Sequence, residues 1–386
     1  MFFHKEKRNC IVVLGMEEQG LALLQCMAKT HRNVHYFVDD RKKIRFREKT
    51  RMGVQHRFDS LESLRDQLEL LQKHFDKKLA VFITSATLLT EVRLELRELY
   101  DKYLVWSGPL LWIDILGTKN VMYDYAQSHG ITTKNHILMK DYQPGSLRFP
   151  VVLKRNIEHL LSFKTFVAKD EGELDSFVKS IDGVDSVSDI IVQEMVESPS
   201  TDLSFHGFAS NGTILGGISF EEVRHHPTGI SSYLEELDEN GSAMLKEKAV
   251  ALLKDTNFTG FFQIDFKYLP SSKELFIMDV NTRPPGSHNA FHHKFSNWKE
   301  FYSSITGTPV RLIPKKKRIR WINVLRDHLA IHKDGLPGST LKCAMRSYWD
   351  VFDWADPWPF CFSVLQIVHQ RIEQKIFRKD YNLEDN

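Results

Sequence analysis

The chain has 386 residues, 42% hydrophobic and 26% charged, with 52 Lys and Arg against 50 Asp and Glu and a formal net charge of only +2. That composition excludes a disordered, collagenous or disulfide-scaffold protein, and the near-zero charge argues against wholesale nucleic-acid binding. Length predicts two or three domains.

The four cysteines (Cys10, Cys26, Cys343, Cys361) form no CxxC pair and no zinc spacing, as expected of reduced thiols in a cytoplasmic protein. No apolar run reaches the roughly 18 residues of a membrane span. The apolar stretch behind the charges Lys5–Arg8 is too short for a signal peptide.

Residues 9–105 alternate strand and helix signals. Strands are expected over 10–14, 34–38 and 79–84, and helices over 20–29, 61–75 and 88–103, the pattern of a doubly wound α/β domain. The first turn, Gly15-Met-Glu-Glu-Gln-Gly20, lacks GxGxxG and places two acids where a pyrophosphate would need a positive end. A scaffold domain that lends a wall to a neighbouring site is the better reading.

From about residue 150 the signals become β-rich: 150–154, 164–168, 190–194, 202–209 and 213–220 read as strands. A helix over 243–254 precedes two more strands, 260–268 and 274–281. A basic run, 315–320, then introduces an aromatic-rich C-terminal segment.

The stretch GFFQIDFKYLPSSKELFIMDVNTRPPG, residues 260–286, is the most informative. Strand alternation places Phe262, Ile264 and Phe266 on one face and Gln263, Asp265 and Lys267 on the other. It likewise groups Phe276, Met278 and Val280 against Ile277, Asp279 and Asn281. Pairing Leu269 with Leu275 sets Asp265 opposite Asp279 and Gln263 opposite Asn281. Directly opposed carboxylates, with Cβ atoms about 5 Å apart, repel unless a cation lies between them. With Asn281 they make a hard-oxygen site suited to Mg²⁺, or Mn²⁺, shared with phosphates. A solvated hairpin with an acidic outer face is the alternative that spacing alone leaves open.

These residues resemble the ATP-grasp superfamily, in which one strand carries an acid and the next an E-x-N-x-R signature; Asp265 and Asp279-Val-Asn281-Thr-Arg283 stand in those places. The departure is Asp279, where the family usually has Glu. The resemblance implies a Rossmann-like pre-ATP-grasp domain (1–105) and a two-lobed ATP-grasp fold. Its small lobe would span 106–189 and its large lobe 190–312, with a C-terminal segment over 313–386. It implies ATP contacts from Lys119, Lys154, Lys164 and Lys267, and a hinge at Gln193, Glu194, Met195 and Val196 beside the adenine. Asp202 would meet the ribose, and metal would sit on Asp265, Asp279 and Asn281.

Arg283 and Arg224 are implied at the transferring phosphate, a pairing of Arg224 with Glu221 or Glu222 being the alternative. The loop between Lys154 and Lys164 contains no glycine, unlike many members. The nearest subgroup is the carboxylate–amine ligases resembling D-aspartate ligase and the ATP-grasp domain of carbamoyl phosphate synthetase.

That subgroup implies an ADP-forming ligase that joins a small-molecule, peptide or saccharide carboxylate to an amine or amino acid through an acyl phosphate. A nucleotide-binding module without turnover, or a different phosphoryl acceptor, is the alternative. Ser287 and His288 are expected on the substrate side, and the i,i+4 pair His288 and His292 raises zinc as a weaker reading. The cations of 315–320 and the aromatics Tyr348, Trp349, Phe352, Trp354, Trp358, Phe360 and Phe362 admit two readings. The favoured one packs them beneath the core; the other rests them at a membrane interface beside a membrane-linked substrate.

Overall fold

A computed structural model describes residues 9–42, 50–158, 163, 165–181, 187–227 and 229–365. Continuous apolar runs make the first sheet. Strands β1 (Ile11–Leu14), β2 (Val34–Asp39), β3 (Val54–Phe58), β4 (Ala80–Ile83) and β5 (Leu104–Val105) pair in parallel in the order β3-β2-β1-β4-β5. Every residue of β1 and β4 is buried, as strands covered on both faces require. Helices α1 (Glu18–Ala28), α2 (Leu61–Gln72), α3 (Ala86–Glu95) and α4 (Leu99–Lys102) connect them. Ser60 and Ser85 cap α2 and α3 by accepting backbone N–H bonds from Ser63 and Leu88.

The single helix expected over 88–103 is two, because Leu96 leaves the helical region at φ −126°. Strands β3 and β5 carry too little apolar signal to be read from sequence; β3 is mostly exposed.

Two short helices, α5 (Leu110–Leu116) and α6 (Lys119–Ser128), lead into the small lobe. Its antiparallel sheet consists of β6 (His136–Leu138), β7 (Val151–Arg155), β8 (Thr165–Ala168) and β9 (Ile190–Glu194) in the order β6-β9-β7-β8, with α7 (Glu171–Ile181) alongside. The expected boundary at 189/190 therefore falls one strand early: β9 hydrogen-bonds to β6 and β7 and belongs to this lobe. Lys164 lies outside the described residues.

The large lobe is built on β10 (Thr201–Ser210), β11 (Thr213–His225), β12 (Ser231–Glu236), α8 (Glu239–Leu253), β13 (Gly260–Leu269) and β14 (Glu274–Asn281). Helices α9 (Ala290–Lys294) and α10 (Trp298–Ser304) follow. The C-terminal segment adds β15 (Arg320–Ile322), α11 (Val324–His332), α12 (Thr340–Ala344) and β16 (Tyr348–Trp349). These strands complete a seven-stranded sheet, β14-β13-β10-β11-β12-β15-β16, so residues 320–349 extend the large lobe rather than forming a separate segment.

One face of β10, β13 and β14 buries Leu203, Phe205, Phe262, Ile264, Phe266, Leu275, Ile277 and Val280 against α6 and α8. At about 1.5–3 kcal/mol per large apolar side chain, this core fixes which way the opposite face points.

The register at the acids is as expected, with Asp265 opposite Asp279 and Gln263 opposite Asn281. The hairpin end is not: Leu269 pairs with Glu274 and Tyr268 with Leu275. A bulge at Met278 absorbs the one-residue difference. The expected grouping of side chains on β14 changes with it. Ile277 joins Val280 in the core below, while Phe276 and Met278 pack with Val196 and Leu269 instead.

The C-terminal aromatics divide. Trp321 is buried in the core shared with the first domain and Phe360 packs against it, whereas Trp354 is 88% exposed. The cations Lys315–Arg318 are exposed, with Arg318 bonded to the Glu236 carbonyl. Among the described residues, no helix is long and apolar enough to cross a membrane.

Candidate active site

Pairing across β11, β10, β13 and β14 lays the polar face out as a grid. Ser204 lies opposite Asp265, which lies opposite Asp279. One step along, His206 lies opposite Gln263 and Gln263 opposite Asn281. One step the other way, Asp202 lies opposite Lys267, and their side chains form an ion pair. The hairpin therefore delivers the expected metal set, Asp265, Asp279 and Asn281, to one face.

The carboxylates are held unequally. Burial pushes the Asp265 carboxyl well above the usual carboxylate range, and the charges of Glu222 and Asp279 push it further. Its Oδ1 accepts a 2.7 Å hydrogen bond from Gln263 Nε2. Burial acts on Asp279 in the same direction, but the Lys119 ammonium, 2.6 Å from Oδ1, outweighs it and holds Asp279 below the usual range. Lys119 opens α6, whose buried face (Met122, Tyr123, Ala126) clamps it over the acids.

An acid forced toward protonation beside one that recruits a lysine is a donor pair short of positive charge. The residues fit a divalent cation: two hard carboxylates and an amide oxygen, with room in the coordination shell for phosphate oxygens. Among the described residues, no three His, Cys, Asp or Glu side chains form a metal site by themselves. The zinc reading fails accordingly. His288 is fully buried with its Nε2 2.8 Å from the Tyr302 hydroxyl, while the His292 ring packs 5.7 Å from Trp298.

Lys154 is 8% exposed, its Nζ 2.8 Å from Gln193 Oε1 and 3.2 Å from the Tyr123 hydroxyl. Burial pushes its ammonium down to about 7, with Lys119 and Lys267 adding like-charge repulsion. Among the described residues, no carboxylate is hydrogen-bonded to it. Gln193, expected beside the adenine, thus holds Lys154 instead. Glu194 Oε1 accepts the backbone N–H of Arg148, and Met195 spends its own N–H on the Pro150 carbonyl. Val196 is buried with Leu269 and Phe276, an apolar wall where the two lobes meet.

Arg283 is half-buried; its charge counters that of Asp265, and its Nε has no hydrogen-bond partner among the described residues. Arg224 is elsewhere. A bulge at Val223 turns it off the acid-bearing face, so that it pairs with Asp327 at 2.6 Å and covers the Tyr233 ring at 4.5 Å. It joins neither the phosphate site nor Glu221 or Glu222. Ser287 and His288 are buried at 2% and 0% exposure, behind the cleft rather than lining it.

Sequence reading missed Tyr123, Glu222 and His206. Tyr123 lies four residues after Lys119 on one helix face, a spacing that was visible. His206 shares strand parity with Asp202. Glu222, which accepts from Ser231 (2.6 Å) and His225 (2.9 Å), is on the cleft only because the bulge begins after it.

In the first domain, Gly15 (φ +96°) turns the chain tightly enough that a Cβ there would meet Ser85 at 2.8 Å. Glu17 and Lys42 fill the crevice beyond β1 and β4 with a 3.0 Å ion pair. A cavity of about 20 Å³ remains, room for one water.

No family model matches the chain, and no curated protein matches it. Solved structures do. An N5-carboxyaminoimidazole synthetase from Staphylococcus aureus superposes with a TM-score of 0.63 at 17% identity, covering 87% of this chain and 88% of that one. The N5-carboxyaminoimidazole synthase of Aspergillus clavatus, solved with ADP and its aminoimidazole ribonucleotide, gives 0.61 at 13% identity over 84% and 83%. The biotin carboxylase domain of Hydrogenobacter thermophilus 2-oxoglutarate carboxylase, solved with MgADP and bicarbonate, gives 0.64 at 12% identity over 80% and 71%. The shared architecture is the ATP-grasp fold behind a Rossmann-like domain.

Proposed function

We propose that this chain is an ATP-dependent, ADP-forming ligase that joins a carboxylate to an amine. The observation that carries the reading is the facing pair Asp265 and Asp279 beneath Lys119 and the carboxylate-free Lys154. Two acids, the buried Lys154 and the partly buried Lys119 at a lobe junction suit a polyphosphate carrying a divalent cation. The fold supports it, since neighbours of this architecture were solved with ADP, MgADP, bicarbonate or an aminoimidazole ribonucleotide.

In this reading Lys154 and Lys119 bind phosphate oxygens, and Lys267 and Asp202 open toward the ribose end. Asp265, Asp279 and Asn281 would hold Mg²⁺, which when bound neutralises the charge on the transferring phosphate. Arg283 orients the substrate carboxylate by two-point contact from its fixed fork. A carboxylate oxygen attacks the γ-phosphorus to give an acyl phosphate, and the amine then displaces phosphate at the acyl carbon. Positioning two substrates supplies most of the rate, so no side-chain nucleophile is needed.

The test supplies ATP and Mg²⁺ with bicarbonate and the common amino acids as carboxylates, and ammonia and the same amino acids as amines. ADP release that needs both partners, with a product of matching mass, is expected. ATP binding with no ADP release across the panel would favour a nucleotide-binding module.

A further inference from the structure

The ligase reading leaves one proton unassigned: an amine that becomes an amide must lose it. His206 is an imidazole on the acid-bearing face of the large sheet. It lies on the cleft face of β10, two strands from Asn281 in the row His206–Gln263–Asn281, about 10 Å across the sheet. Only 2% of it is exposed, and its Nδ1 is 2.7 Å from Ser287 Oγ, whereas its buried Nε2 has no hydrogen-bond partner among the described residues.

A buried unpaired polar atom costs about 1–3 kcal/mol, so such atoms are rare without a reason. Ser204 Oγ, next along the same strand face, is another buried polar atom without a partner among the described residues. The charged group acting on the imidazole is Glu222, whose carboxylate works against the effect of burial, and His288 lies close to it.

We propose that His206 Nε2 takes the amine proton as the carbon–nitrogen bond forms, with Ser287 as the positioning residue that fixes its tautomer. This rests on the ligase reading. Nδ1–H donates to Ser287 Oγ, which leaves the Nε2 lone pair free. The amine nitrogen attacks the acyl carbon and its acidity rises as the new bond forms. One N–H proton passes to Nε2 while the C–O bond to phosphate breaks and phosphate leaves with the electron pair. The proton then passes to that phosphate, and the imidazole returns to neutral. Burial holds His206 down to about 4, so the ring is in its accepting form throughout the neutral range.

Hydroxylamine separates the steps, because it is an uncharged nucleophile at neutral pH and intercepts an acyl phosphate without a base. Wild type, His206→Asn and Ser287→Ala are each given ATP, Mg²⁺ and the carboxylate panel, once with hydroxylamine and once with the amine panel. For His206→Asn, amide formation is expected to fall about 100-fold or more while hydroxamate stays within about twofold of wild type. Ser287→Ala is expected to shift the same ratio in the same direction by less.

In wild type, ¹⁵N NMR of the His206 ring should show Nδ1 protonated and Nε2 bare. A protonated Nε2, unchanged amide formation, or equal loss of both products in both variants would overturn the proposal. Absence of hydroxamate from wild type with every carboxylate would instead bring down the ligase reading, and this inference with it.

Discussion

Lys154 shows how a single residue ties folding to function. Its ammonium is buried against two neutral partners, so its folded value near 7 lies below the roughly 10.5 of an unfolded lysine. Between those values the unfolded chain binds more protons. Stability of the free protein therefore rises with pH from about 7 to 10.5, and below 7 the full cost of burying the charge is present. A polyphosphate reverses the preference by favouring the charged form. ATP binding at pH 8 is expected to take up a proton, shrinking toward zero by pH 6; calorimetry in buffers of different ionisation heat reads this directly.

The two acids should respond differently. Asp265→Asn removes a repelling charge and is expected to leave the metal-free melting temperature level or higher while turnover drops by orders of magnitude. Asp279→Asn leaves Lys119 only its longer ion pair with Glu158, at 3.8 Å. A loss of about 2–3 kcal/mol is expected, under the full buried-pair value because Asp279 is 30% exposed. Thermal melts of the two variants side by side check both.

Elements carry the next level of the account, and bulges decide most of it. The bulge at Met278 keeps Asp279 facing Asp265 although the hairpin end is shifted by one, and the bulge at Val223 sends Arg224 to the far face. Neither is visible in an alternating pattern, because a bulge is one extra residue whose cause lies in the packing on both sides. The acid pair was legible because its register survived the shift, and Arg224 was misplaced because its parity did not. The parallel sheet and the acidic hairpin could likewise be read from apolar runs and strand parity, whereas the lysines were implied only by the family resemblance. Strands β3 and β15 could not, being short and held by neighbours rather than by their own pattern.

Arg224 yields the corresponding prediction. Arg224→Met strands Asp327, which is fully buried, so about 3–5 kcal/mol of stability should be lost with ATP affinity unchanged in the folded fraction. Denaturant melts and nucleotide titration together test it. A weakened ATP affinity at full stability would return Arg224 to the phosphate site.

For the molecule as a whole, three sheets divide the work. The parallel sheet fills its own crevice with the Glu17–Lys42 pair. The small lobe brings Lys154 to the junction on β7, and the large lobe supplies the acids on β13 and β14. The C-terminal strands lock onto the large sheet, and Lys29–Asp353 and Arg326–Glu18 tie that segment back to α1. What remains at the junction is a polar floor, an apolar wall at Val196 and Phe276, and cations above, a division that suits phosphoryl transfer to a carboxylate. The most direct test of that claim follows an oxygen atom. With a substrate carboxylate labelled with ¹⁸O, ATP, Mg²⁺ and the amine, the account predicts ADP and inorganic phosphate carrying one ¹⁸O from the carboxylate. Unlabelled phosphate, or AMP with pyrophosphate, would contradict it.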